Sequence, residues 1–175
     1  MKPANRNLLL RCNRYLGSAL VEGDLVTLPN LEAATERLLQ LVAEGDNRLC
    51  NVLGVLAYEM KVLREEDVLQ HLADDHGAGL VDLRDVELGE ELKQSLDLEV
   101  CWATWTLPFD REEGFNSVAS ACFLSSAART YWEKHLNGPI IWYGATIESI
   151  ADQLEKLTAA RAAAVPVPAA APPAA

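Results

Sequence analysis

The feature that most constrains this chain is a pattern that occurs twice, 37 residues apart. Leu-Gly at residues 16–17 returns at residues 53–54, and each copy is followed by apolar positions in the same order. Each copy has the spacing of a short helix turned onto a longer one. A unit of this size cannot bury its apolar face alone, so the two units are predicted to pack on each other.

Helical spacing extends from about residue 5 to residue 76. Gly17 is expected to interrupt the first helix, and Thr27 to cap the second helix, which has Pro29 in its first turn. The predicted inner stripe of that second helix is Leu31, Thr35, Leu38, Leu39 and Val42. In the second unit, the residues predicted to face the core are Leu49, Val52, Leu53, Leu56, Val68, Leu69 and Leu72.

The pattern changes after residue 79. Residues 80–83 are expected to be extended, and residues 89–96 to form a small helix. The β-branched and aromatic run 99–110 predicts a strand, which a polar turn joins to a returning strand at 115–123. A helix over 125–136, a strand over 140–144 and a final helix capped by Thr146 complete the prediction.

These elements predict an α+β fold. A helical subdomain of two helix-turn-helix repeats occupies residues 1–78 and packs on a small α/β sandwich of about three strands at residues 79–158. Residues 159–175 consist almost entirely of Ala, Pro and Val, and they are predicted to form a disordered tail or a linker.

Composition excludes several classes of function. Fifteen Lys and Arg against 26 Asp and Glu give a net charge of −11, which opposes nucleic-acid binding. The four cysteines and three histidines lack the paired spacing of a metal site, so no metal or other cofactor is expected. The basic N-terminus has too short an apolar run for a signal peptide, and no stretch is long enough to span a membrane. We expect a cytoplasmic protein.

Taken with the segment that follows them, the two units resemble the N-terminal domain of the ATPases that drive type II secretion and type IV pilus assembly. The resemblance covers residues 12–157 and includes Val81-Asp82-Leu83, Leu107-Pro108 and Val118-Ala119. It implies the same α+β fold, and a role in attaching a motor to the cytoplasmic part of an inner-membrane partner.

Some members of that family bind cyclic di-GMP through each unit, with an Arg-Leu-Gly, a second Gly and a final Gln. The positions retained here are Leu16, Gly17, Leu20, Val21, Leu25 and Val26 in the first unit and Leu53, Gly54, Val62 and Leu63 in the second. The Arg positions hold Tyr15 and Val52, although Arg14 and Arg48 lie nearby, and the second Gly positions hold Asp24 and Lys61. The apolar scaffold survives without the polar groups, which favours a repeat that persists because it packs.

The chain lacks the GxxxxGK phosphate loop, so no enzyme activity is expected. The first functional hypothesis is a non-catalytic docking domain that binds a protein of a secretion, pilus or envelope machine, to which it could be recruited at the inner membrane. Trp102 and Trp105 have opposite parity in the predicted strand, so one of them is expected to face outward as an anchor, unless both lie between the two halves. The alternative is a cyclic di-GMP receptor with a drifted motif.

Overall fold

The computed structural model describes residues 1–45, 48 and 50–164. Its helices are α1 Pro3–Glu22, α2 Leu28–Glu44, α3 Val52–Gly54, α4 Glu65–His76, α5 Glu90–Ser95, α6 Leu98–Thr104, α7 Ser126–His135 and α8 Ile147–Ala164. A π-helical turn, Val55–Glu59, extends α3, and a 3-10 turn lies at Leu83–Asp85. The strands are β1 Gly79–Leu80, β2 Thr106–Glu112, β3 Phe115–Ser120 and β4 Ile140–Gly144. The α+β class is confirmed.

The four strands form one mixed sheet in the order β1-β4-β3-β2. β2 and β3 are antiparallel, and Glu113 and Gly114 connect them with positive φ angles of 50° and 86°, as a tight two-residue hairpin requires. β4 runs parallel to β3 and to the short strand β1. Gly79 and Leu80, at the start of the segment that was predicted to be extended, therefore join the sheet as a strand. The sheet has four strands, one more than the prediction of about three.

The strand predicted over residues 99–110 is wrong in its first half, because residues 98–104 form α6. Asp97 starts this helix, since its carboxylate accepts from the backbone N–H groups of Glu99 and Val100 at 3.1 and 3.3 Å. Trp105 ends it with a left-handed φ of 49°. A local cap thus overrides the β-branched and aromatic composition, and the strand begins only at Thr106.

Two details of the helical half also differ from the prediction. α1 continues through Gly17 without interruption to Glu22. The buried stripe of α2 consists of Ala34, Leu38 and Leu41, whereas Leu39 is 51% exposed. The true face is offset from the predicted one because α2 packs against α1 on one side and against the α3 segment on the other.

A single apolar core runs through both halves. The predicted burial of Leu53, Leu56, Val68 and Leu72 is confirmed. α8 extends to Ala164, past the predicted limit at residue 158, and Arg161 within this extension donates hydrogen bonds to the backbone carbonyls of Lys93 and Leu96 at the end of α5. The predictions for Leu49 and for residues 165–175 lie outside the described residues.

Candidate functional site

The two repeat units keep the same backbone turn. Asp24 and Lys61 occupy equivalent positions, 37 residues apart, and both have left-handed φ angles, 55° and 54°. This conformation is uncommon outside glycine and asparagine, and it costs roughly 1 kcal/mol for most other residues. These are the positions where the resembled motif has its second glycine. Both units therefore have the same left-handed turn at this position, although neither has a glycine there.

The glycine of each Leu-Gly pair has a different environment. A Cβ added at Gly17 would lie 2.5 Å from Cδ1 of Leu31 on α2, so Gly17 lets α1 and α2 approach closely. A Cβ added at Gly54 would lie 3.6 Å from Cδ1 of Ile147, an ordinary contact. The space beside Gly17 is filled by a protein side chain, and this glycine cannot offer its backbone to a ligand.

The apolar residues of the motif are divided between the core and a surface cavity. Leu16, Gly17, Leu20, Leu53 and Leu63 are buried. The other first-unit positions and one second-unit position line a cavity of about 360 Å³ at the seam between the units, which contains Val21, Asp24, Leu25, Val26, Thr27, Leu28, Asn30 and Val62. This lining includes a carboxylate and no cation among its described residues, so it has no charge complementary to a phosphate.

Arg48 lies in a second cavity, of about 310 Å³, which Gly54 also lines. Its guanidinium pairs with Asp152 at 3.3 Å and with Glu155 at 2.5 Å, both on α8. The hydrogen bond that Arg48 donates to Glu155 is the main reason that the pKa of Arg48 is raised. Because Glu59 and Glu148 line the same cavity, the local charge is unfavourable for an anion.

Arg14 is exposed on α1, with its guanidinium 5.3 Å from the centre of the Tyr15 ring. It lines neither of these two cavities. The structure therefore does not bring the predicted nucleotide-binding residues into one site. Val21, Leu25 and Val62 share the seam cavity, Arg48 and Gly54 share the second cavity, and the remaining apolar residues belong to the core.

One buried carboxylate links the helical half to α8. Glu65 is 4% exposed, and it accepts hydrogen bonds from the Tyr58 hydroxyl and, at 2.6 Å, from the backbone N–H of Ile147. Burial raises the pKa of Glu65, and these two hydrogen bonds partly offset the effect. The sequence placed Glu65 only in the acidic first turn of a helix. Ile147, whose N–H donates to Glu65, lies 82 residues away in the sequence, so no local pattern could reveal the contact between them.

The expectation that one tryptophan faces outward is wrong, and the alternative, in which both are buried, holds. Trp102 is 9% exposed and Trp105 is fully buried, with the two rings in a T-shaped contact at 5.3 Å. Nε1 of Trp105 donates a hydrogen bond to the carbonyl of Cys50, in the helical half, at 3.1 Å. Both side chains lie in the core because residues 98–104 are helical, and neither can anchor a partner.

Groups that could act as nucleophiles are occupied or buried. Burial raises the pKa of Cys12 to about 12 and also raises the pKa values of Cys101 and Cys122. The Ser125 hydroxyl donates to the carbonyl of Cys12 at 2.8 Å and accepts from the N–H of Ala128, as the cap of α7. Within the described ranges, no three metal-ligating side chains gather. None of the helices described has the length and apolarity to cross a membrane.

No protein-family model matches the sequence, and no curated protein matches it. Solved structures do match. Two of them are crystal forms of the N-terminal domain of XpsE. One has a TM-score of 0.55 and 18% sequence identity, and the match covers 83% of this chain and 94% of that chain. The other has a TM-score of 0.52 and 21% sequence identity, and the match covers 79% of this chain and 90% of that chain. Another is a structure of MshE with cdg, cyclic di-GMP. It has a TM-score of 0.51 and 20% sequence identity, and the match covers 81% of this chain and 97% of that chain. Structural similarity of this degree at 18–21% identity shows the fold alone: the chain has the fold of the N-terminal domains of XpsE and MshE, which belong to secretion and pilus ATPases.

Proposed function

We propose that this chain is a non-catalytic docking or regulatory domain of a bacterial secretion, pilus or envelope system, and that it binds a protein partner. The observation that carries the proposal is the division of the repeat motif. Four of its five leucines and Gly17 lie in the core, and the surface cavities that its other residues line contain carboxylates. The repeat units therefore keep the apolar residues that pack the fold but lack the arginines that would bind a phosphate. Such a domain is suited to bind another protein through its surface.

A cyclic di-GMP receptor is the second candidate. Two observations favour it: the left-handed turns at Asp24 and Lys61 are kept in both units, and MshE, of the same fold, has a structure with cyclic di-GMP. The engagement of Arg48 by Asp152 and Glu155 opposes it. A dianionic ligand would have to displace these two carboxylates, so we infer weak binding or none.

An enzymatic role has no support in the described side chains. The sequence contains no GxxxxGK loop, so the nucleotide-hydrolysing machinery of the motors that share this fold is absent from these 175 residues. The buried thiols are held protonated, and the hydroxyl of Ser125 is committed to a helix cap. We propose that the domain acts in the cytoplasm and reaches the inner membrane only through its partner.

Site-specific photo-crosslinking in bacterial cells tests this function. A crosslinking amino acid placed in turn at exposed positions of α1, α2, α7 and the β2–β3 hairpin should capture a component of a secretion, pilus or envelope machine from at least one face. Calorimetry of the purified domain with cyclic di-GMP runs in parallel. Micromolar or tighter binding of the nucleotide, with no crosslink from any face, would replace the docking proposal by the receptor.

A further inference from the structure

α1 and α7 lie side by side and enclose a groove of about 290 Å³ at the surface. Arg11 and Tyr15, one turn apart on α1, line one side. Ser126, Thr130 and Lys134, each one turn from the next, line the other side. The hydrogen bond from Ser125 to the Cys12 carbonyl fixes the start of α7 against α1, so the two polar stripes are held in register.

The groove has the opposite charge to the rest of the molecule. α1 and α7 together carry five Lys or Arg and two Glu, in a chain whose net charge is −11. No carboxylate is among the described residues that line the groove. Neither Arg11 nor Lys134 forms an ion pair with any residue in the described part of the chain, in contrast to Arg48 and Arg37. Two cations therefore face a shared concavity without an internal counter-charge.

Aromatic and hydrogen-bonding groups complete the lining. Tyr15 is 43% exposed, and it stands where the resembled motif has arginine. The Tyr131 ring stacks on His135 at 4.0 Å, and Nδ1 of His135 donates to the Tyr131 carbonyl at 2.7 Å, which fixes the imidazole. Tyr15 is exposed and Tyr131 is half-buried, and tyrosines at such positions supply contact area and a hydroxyl at low cost in side-chain entropy.

We propose that the α1–α7 groove receives an acidic segment of the partner protein, with carboxylates paired to Arg11 and Lys134 and neighbouring side chains packed on Tyr15 and Tyr131. This inference rests on the docking function proposed above and names the partner's chemistry. It replaces the tryptophan surface expected from the sequence.

The shape and charge of the molecule favour a peptide over a longer polyanion. A bilayer of anionic lipid or a nucleic acid would bring many charges against a molecule that carries 24 of its 26 Asp and Glu outside α1 and α7. A short protein segment can place a few carboxylates in the groove without extending over the rest of the surface. The groove volume, at the lower limit of small-molecule sites, suits a few side chains.

Fluorescence anisotropy with a labelled short poly-glutamate peptide tests the inference, with the poly-glutamine peptide as the neutral control. The charge reversals R11E and K134E should each weaken poly-glutamate binding about tenfold, because each replaces an attractive pair by a repulsive one. R111E makes the same charge change on the β2–β3 hairpin, away from the groove, and should leave the affinity within about twofold. All three positions are exposed, and circular dichroism checks that each variant is folded.

Three results would overturn the proposal: no binding of poly-glutamate at low salt, equal loss in R111E and the groove variants, or binding to phosphatidylglycerol vesicles in place of the peptide. The last result would identify a lipid surface as the occupant. These failures are distinguishable from failure of the docking function. Crosslinks from another face would keep that function and move its surface, whereas the absence of crosslinks from every face would remove both.

Discussion

Alanine at Gly17 and alanine at Gly54 are the same substitution at equivalent positions of the two repeat units, and the structure predicts opposite effects on stability. At Gly17 the new Cβ would lie 2.5 Å from Cδ1 of Leu31, whereas carbon atoms pack at about 3.5–4.0 Å, so Leu31 or α2 must move by roughly 1 Å. Such overpacking costs about 1–3 kcal/mol, and the better helix propensity of alanine recovers about 1 kcal/mol. We expect G17A to lower the free energy of unfolding by up to about 2 kcal/mol.

At Gly54 the nearest side-chain atom would be 3.6 Å from the new Cβ, and the backbone of residue 54 is helical. Because no steric clash opposes the higher helix propensity of alanine, G54A should be neutral or should raise the free energy of unfolding by up to about 1 kcal/mol. Urea unfolding followed by circular dichroism measures both variants, and an unchanged m-value shows that the midpoint shift reports stability.

A double-mutant cycle with Leu31 locates the cause. L31A alone should destabilise the protein, but G17A introduced into L31A should be harmless, because the methyl groups that obstruct the new Cβ are gone. The coupling energy should be about 1–3 kcal/mol, within the range for residues in contact. Equal effects of G17A and G54A, or no coupling to Leu31, would refute the conclusion that Gly17 is there for helix packing.

Further predictions concern a titrating group, a helix cap and the nucleotide. Burial raises the pKa of Glu65 above its usual 4.5, so the folded state binds the carboxyl proton of Glu65 more tightly than the unfolded state does. The free energy of unfolding that this proton contributes is fully present below pH 4.5 and is lost as pH rises through the folded-state pKa. Denaturant unfolding at several pH values should therefore show E65Q gaining stability relative to the wild type as pH rises from 4.5; a constant difference would contradict this. D97A should cost about 1 kcal/mol by removing the cap of α6, and an unchanged urea midpoint would contradict it. Calorimetry with cyclic di-GMP should give weaker than micromolar binding, since losing charge-assisted arginine contacts removes roughly 1.5–3 kcal/mol at each unit. If binding is tight, R14A and R48A identify which unit is responsible.

Local patterns were sufficient for most of the elements. The side-chain cap at Thr146 and the hairpin between β2 and β3 depend on residues a few positions apart, and the structure confirms both. The repeat of 37 residues was also visible from the sequence, because equivalent apolar positions must recur wherever two similar units bury similar faces. The fold class followed from these elements.

Residues 98–104 show where sequence reasoning fails. Their β-branched and aromatic composition predicts a strand, yet a cap at Asp97 and burial of Trp102 make them a helix. The β-propensity scale spans only about 1 kcal/mol from best to worst residue and changes sign with context, so a cap worth about 1 kcal/mol and the burial of an indole can decide the element. The error then propagated to function, because the alternation of a strand was used to place a tryptophan on the surface.

The sequence by itself determined most of the segments that form helices and strands, that two units repeat, and that no phosphate loop is present. Only the tertiary structure decided what the motif residues face. Leu31 beside Gly17, the N–H of Ile147 on Glu65 and the groove between α1 and α7 are contacts between residues far apart in the chain. A side chain's neighbours are set by how whole helices pack, and this depends on the sum of many weak contacts across the core, which no local spacing encodes.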